Sequence, residues 1–230
     1  MPEDEIHRVE LQYWDYPGIR RRRVDLYLRS GDVPAAIELL EECKQRDSWN
    51  SSLVISYCRE LKDLYRDAGD MAGYRNELRD LLRRTGYGYL DDFREYRRSC
   101  APDRWEAERE DIFSDVHNQS ILRGLLLEEM LYERLLASLM GSSCVDEIRK
   151  YEAVLMPRYP LELLGWYERT ARDMVSVTGN REHYRELVRL LHSMAAYPGG
   201  RERARVLADE WRGMYRRRSA MMDELRRGSV

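Results

Sequence analysis

The residues of this chain able to do chemistry are few and scattered. The histidines stand at His7, His117, His183 and His192. None belongs to a His-Glu-x-x-His or a Glu-x-x-His ligand pair, the spacings that bring metal donors onto one face of a helix. His183 and His192 are nine positions apart, which puts them on roughly opposite sides of a helix, and His117 follows Asp115 by two, a spacing that splays side chains. Metal sites need several converging donors, so these histidines read as surface or half-buried groups. The cysteines Cys43, Cys58, Cys100 and Cys144 lie 15, 42 and 44 positions apart and form no Cys-x-x-Cys; they read as small apolar residues of a reducing compartment. Gly86-Tyr87-Gly88 lacks the later glycine and Lys-Ser/Thr of a phosphate loop, and reads as a helix-ending turn. Gly141-Ser142-Ser143-Cys144 carries nucleophile types, but helix capping accounts for it. The acidic pairs Asp91-Asp92 and Glu128-Glu129 read as solvated helix faces. No catalytic residue, cofactor or metal is assigned, and the chain is read as a non-enzyme.

Two basic runs form a candidate anion or nucleic-acid patch: Arg20-Arg21-Arg22-Arg23 and Arg216-Arg217-Arg218. Consecutive helical residues fan out by about 100° each, so a run cannot place all its members in one groove, and Asp25 and Glu224 stand close enough in sequence to offset charge. The formal charge of -3 gives no global pull toward nucleic acid or an anionic membrane. The aromatics are lopsided, with 16 Tyr and five Trp against two Phe. A tyrosine is apolar along its ring and wet at its hydroxyl, which suits either the edge of a thin core or an interface.

These side chains must be positioned by helices. Gly (14) and Pro (7) are sparse, against an all-β chain full of turns, and 43% hydrophobic residues support a continuous core. The strongest signal is an internal repeat. Gly31-Asp32 precedes Ala36, Leu39 and Leu40; Gly69-Asp70 precedes Tyr74, Leu78, Leu81 and Leu82; Gly179-Asn180 precedes Tyr184, Leu187, Val188 and Leu191. A glycine can take the left-handed conformation that closes one helix. The following Asp or Asn accepts the free N–H groups opening the next, so each motif predicts the corner of an antiparallel helix pair. The separations of 38 and 110 residues place two further corners near Ala101-Pro102-Asp103, where Asp103 and Glu106 resemble a capping box, and at Gly141-Ser142-Ser143.

The expected fold is all-α: stacked antiparallel helix pairs forming an α-α superhelix, with pairs near 19–46, 50–85, 88–116, 118–155, 160–197 and 200–226. Residues 1–18 form an N-terminal segment that either caps the first pair or stays loosely ordered, and 19–230 form one helical-repeat domain. The apolar runs, such as Leu125-Leu126-Leu127, fall short of a membrane span, and the location expected is cytoplasmic.

A repeat of 36–38 residues with such corners resembles the tetratricopeptide class of α-solenoids in architecture, without that family's Trp-Leu-Gly-Tyr-Ala-Pro pattern repeat by repeat. The stretch Tyr184-Arg185-Glu186-Leu187, then Met194, Gly199-Gly200, Trp211 and Tyr215-Arg216-Arg217-Arg218-Ser219-Ala220-Met221-Met222-Asp223-Glu224-Leu225, resembles the helical C-terminal part of bacterial SWIM zinc-finger family proteins. The defining Cys-x-Cys…Cys-x-His motif has no match here, so the resemblance implies neither zinc nor DNA binding. The function expected is a scaffold for a protein or peptide partner, with Tyr, Trp and Arg anchors in a groove on the second helix of each pair or its neighbour. The alternative is a nucleic-acid-binding accessory domain using the two arginine runs. Partner identity and oligomeric state are left open.

Overall fold

The computed structural model describes residues 12–84, 88–142 and 144–229. His7, residues 1–11 of the N-terminal segment, Gly86-Tyr87 and Ser143 lie outside the described residues. Among those described, the secondary structure is entirely helical, in thirteen helices: α1 (Pro17–Ser30), α2 (Val33–Arg46), α3 (Ser51–Asp67), α4 (Met71–Arg84), α5 (Tyr89–Ser99), α6 (Trp105–Asp115), α7 (Gln119–Glu128), α8 (Tyr132–Met140), α9 (Val145–Leu155), α10 (Pro160–Ser176), α11 (Arg181–Met194), α12 (Gly200–Met214) and α13 (Ser219–Arg227). None of them is long and apolar enough to cross a membrane.

The corners follow the local chemistry. At Gly31 (φ 79°) the amides of Gly31 and Asp32 bond back to Leu28 and Tyr27, and the Asp32 carboxylate accepts from Ala35 N–H. At Gly69 (φ 78°) the same pair of back-bonds recurs, to Arg66 and Tyr65, and Asp70 accepts from Ala72 and Gly73. These are Schellman closures followed at once by side-chain caps. Asn180 caps α11 through His183 N–H, but Gly179 does not take the left-handed conformation expected of it: α10 ends on the extended Val177 instead. Ser142 Oγ accepts from Cys144 N–H before α9. The fifth corner, at 100–104, is present without the expected capping box. Arg104, in helical conformation, is the residue preceding α6 and makes no side-chain cap. Turn bonds from Arg104 to Ala101 and from Trp105 to Pro102 lead directly into the helix, so Asp103 is not its cap.

One break was not foreseen. The pair expected over 118–155, with its corner at Gly141, has a second turn at Met130 (φ 55°), where the amides of Met130 and Leu131 bond to Leu127 and Leu126 in another Schellman closure. A non-glycine residue there gives no sequence signal of a helix end. The division of the molecule falls beside it: the chain forms two compact units, one extending to Leu131 and the other starting at Tyr132, where the sequence had been read as one domain over 19–230.

In the first unit each helix packs on the next along the chain from α1 to α5, and α4 with α6 and α5 with α7 meet across the intervening helix. This is solenoid-like stacking. A core of Val24, Ala36, Leu39, Leu40, Cys43, Tyr57 and Leu61 joins α1, α2 and α3, and Trp14 packs against it, so the described part of the N-terminal segment caps the first pair. In the second unit α8 packs on α9 and α10 on α11, and α11 also carries α12 and α13. Trp166, Tyr167, Leu187, Leu191 and Trp211 are buried there. Met214, expected on the core stripe of α12, is 59% exposed.

Ion pairs tie alternate helices in a recurring register. Lys44 meets Glu77 and Lys62 meets Glu95, each 33 positions on; Arg83 meets Asp115 32 on, and Arg94 meets Glu128 34 on. They link α2 to α4, α3 to α5, α4 to α6 and α5 to α7. The two arginine pairs are partly exposed and contribute up to about 1 kcal/mol each, while the lysine pairs are more buried; together they favour one stacking register over slipped ones. Glu95 is held from two sides: Lys62 Nζ lies at 2.8 Å and the Tyr74 hydroxyl donates to it at 2.6 Å. Burial pushes the Glu95 carboxyl up, but Lys62 and Tyr74 outweigh that and hold it below the ordinary glutamate value. Its stabilising contribution is therefore full above about pH 4.3 and lost as pH falls through the lowered value. Urea midpoints measured from pH 7 to pH 3 are expected to fall more steeply in the wild type than in Glu95→Gln, which starts lower at pH 7. Parallel curves would refute this.

Candidate functional site

Among the described residues, the histidines and most of the cysteines singled out for chemistry lie apart from one another. His183 Nε2 lies 2.9 Å from the Met174 carbonyl oxygen at the end of α10. His117 is exposed between α6 and α7, and His192 is exposed on α11. The cysteines are free thiols: Cys43 and Cys58 are buried and Cys100 half-buried, as small apolar residues, while Cys144 is exposed, contrary to expectation.

One set of metal-type donors converges among the described residues, Cys58 with Glu77 and Asp80. A cation of the protein's own already serves it: Lys44 Nζ sits 2.6 Å from Glu77 and 2.9 Å from Asp80. Burial lowers the Lys44 affinity for a proton, but the two carboxylates more than reverse this and keep the ammonium charged. Burial pushes the Cys58 thiol up to about 12, so it holds its proton at neutral pH. This is a neutralised structural cluster.

The basic runs disperse. Arg20 is not on the surface: it is 1% exposed, and its guanidinium forks onto Asp47 at 2.5 and 2.7 Å while donating to the Trp14 carbonyl at 2.6 Å. It leaves the candidate patch because the helical turn from Arg20 to Val24 faces the core. Arg21 pairs with Glu60 and Asp25. Arg22 is exposed and Arg23 half-buried. In the second unit Arg218 donates to the Val175 carbonyl at 2.6 Å and covers the Tyr215 ring, so it closes the end of α10. Arg216 bonds the Gly213 carbonyl, and it and Arg217 are exposed. The acidic pairs depart from expectation too: Asp92 is buried, and the Glu129 side chain, 5% exposed, receives Trp105 Nε1 and Arg97.

Most of the tyrosines behave as core-edge residues. Tyr57 donates to Asp47, Tyr74 to Glu95, Tyr96 to Glu108, and Tyr167 and Tyr197 both to Glu152. Burial, then the neighbouring carboxylate, pushes the Tyr57, Tyr74 and Tyr96 hydroxyls well above their ordinary value. Neutral donors to carboxylates are what such sites require.

A groove of about 840 Å³ lies on α2. Val33, Pro34 and Ile37 of α2, Tyr65 of α3 and Ala68 of the following corner supply its apolar wall. Glu38, Glu41, Glu42 and Asp70 supply its rim, and among the described residues no Lys or Arg lines it. The helix can do this because its other face, Ala36, Leu39, Leu40 and Cys43, is committed to the core. The rim carboxylates are only partly occupied. Glu41 accepts from the Tyr65 hydroxyl at 3.1 Å, and that hydroxyl is pushed up to about 12 by burial and by Glu41. Glu42 takes Trp14 Nε1 and Arg46. Glu38 is exposed and has no ionic partner among the described residues, and Asp70 serves backbone amides. The lining thus differs from the expected Tyr, Trp and Arg set. A usable signal was present: Glu38, Glu41 and Glu42 share α2 with an apolar stripe.

Comparison with family models, curated proteins and solved structures finds no match to the chain.

Proposed function

We propose that the chain is a helical scaffold whose first unit docks a basic, extended or helical peptide segment of a protein partner along α2. One observation carries this reading: an apolar trough of about 840 Å³ whose rim among the described residues is four carboxylates, of which Glu42 is paired with Arg46. An aliphatic side chain of the partner would cover Val33, Ile37 and the Tyr65 ring, where burying one such residue is worth about 1.5–3 kcal/mol. Arg or Lys on either side would meet Glu38, Glu41 and Asp70. Rim charges act mostly on association rate and selectivity, so the affinity would fall with salt.

The test uses the full chain and a fluorescent peptide of arginines and lysines around one leucine, titrated by anisotropy. Binding is expected to weaken with added salt and to weaken tenfold or more in Glu38→Lys, a substitution that breaks no internal contact. A glutamate peptide around the same leucine is expected not to bind. Equal binding of both peptides, or an unchanged affinity in Glu38→Lys, would overturn the proposal.

A further inference from the structure

The second unit holds a pocket of opposite character. It is about 310 Å³ in volume and is lined by Leu191, His192 and Ala195 from the end of α11, Arg201, Ala204 and Arg205 from the start of α12, and Ser229 after α13. The two helices meet closely because residue 200 has no side chain: a Cβ there would lie 1.8 Å from the Met194 carbonyl oxygen. Gly228 allows the corresponding approach of the end of α13, since a Cβ would lie 2.4 Å from Val188 and 3.4 Å from His192 Nε2.

The charges in this pocket are uncommitted. Arginines of α10, α11 and α12 are tied to carboxylates: Arg172 to Glu210, Arg181 to Glu224, Arg189 to Glu186 and Arg212 to Asp209. Arg201 and Arg205 form no ion pair or side-chain hydrogen bond among the described residues, although both line one cavity. Four positions apart on a helix, they stand on the same side about 6 Å apart at their bases. His192 adds an imidazole from the facing helix, and the start of α12 adds the partial positive charge of a helix N-terminus. Glu202 and Asp209 stand three positions before and four after Arg205, but Asp209 is held by Arg212 and neither pairs with Arg201 or Arg205 among the described residues. Below the charges the floor is Leu191, Ala195 and Ala204.

We infer that this pocket binds a phosphomonoester: the two guanidinium groups and His192 take the dianion, and Leu191, Ala195 and Ala204 contact the organic group that carries it. Two neighbouring guanidinium groups lining one cavity suit the oxygens of a phosphoryl group. The inference is independent of the α2 groove.

The probes are O-phosphoserine, a short peptide containing phosphoserine, and inorganic phosphate, each titrated calorimetrically into the full chain. The result expected is one saturable site that binds the two phosphomonoesters more tightly than inorganic phosphate. Arg201→Ala and Arg205→Ala should each weaken it tenfold or more with unchanged thermal midpoints, while Arg217→Ala, an exposed arginine outside the pocket, should leave it unaltered. Tighter binding of the peptide than of the free amino acid assigns the phosphate to a protein, and the reverse to a small molecule. Absence of saturation, equal losses in all three variants, no loss in Arg201→Ala and Arg205→Ala, or equal affinity for inorganic phosphate would overturn the inference.

Discussion

Arg20→Ala is expected to destabilise the first unit by about 3–5 kcal/mol, a large share of what a domain has. Its guanidinium grips both oxygens of Asp47, at 2.5 and 2.7 Å, and the Tyr57 hydroxyl donates to the same carboxylate at 2.8 Å. The Asp47 side chain is 4% exposed, so removing Arg20 leaves a buried carboxylate with no counter-charge. Burial lowers the Arg20 pKa, but Asp47 more than compensates and the group stays charged. Arg20→Lys should recover only part of the loss, since Nη2 serves both Asp47 oxygens while Nη1 serves the Trp14 carbonyl, and an ammonium has no second nitrogen for the carbonyl. The double substitution Arg20→Met with Asp47→Leu should recover part of the loss, because it removes both charges and keeps the volume filled but takes the acceptor from the Tyr57 hydroxyl. Urea unfolding followed by circular dichroism, with hydrogen exchange to place the loss in α1–α3, measures this. A loss below about 1 kcal/mol in Arg20→Ala, the size usual for a surface site, would refute the buried pair.

Trp166→Ala is expected to cost about 3–5 kcal/mol in the second unit. The indole is 2% exposed, and its N–H donates to the Ser142 carbonyl at 2.8 Å, pinning the corner between α8 and α9 to α10. Its ring meets Tyr167 edge-on at 5.2 Å, and Tyr167 meets Tyr197 at 5.7 Å. Both tyrosine hydroxyls donate to Glu152 on α9, so the indole supports a layer spanning α9, α10 and the end of α11. Trp166→Phe keeps an aromatic surface and loses the donor to Ser142, so it should cost less, by a margin that includes about 1 kcal/mol for the hydrogen bond. Thermal unfolding and amide exchange across α8–α10 would show it. Equal losses for Ala and Phe would mean that the ring's volume contributes nothing, against the packing described.

These sites differ in how far they were legible in the residues. Ala36, Tyr74 and Tyr184, each five positions after a corner glycine, are buried as that spacing predicts. Arg20 was misread because a run of four arginines looks like a surface feature, and only the packing of α1 on α2 and α3 turns one of them inward. The α2 groove was missed for a related reason. Its acids were in view, but the wall opposite them comes from Tyr65 and Ala68, some thirty residues away.

By itself the sequence determined the helices and most of their corners. A Gly closure and an Asp or Asn cap act over five residues or fewer, a distance the chain writes directly. It did not determine the turn at Met130, where a left-handed residue lacks the glycine that would announce it, nor the partition beside it. Tertiary structure alone decided the long-range ion pairs. Partners 32–34 positions apart come together only once alternate helices have stacked. That stacking is also what leaves Glu38 on one unit, and Arg201 with Arg205 on the other, with charge the fold does not neutralise.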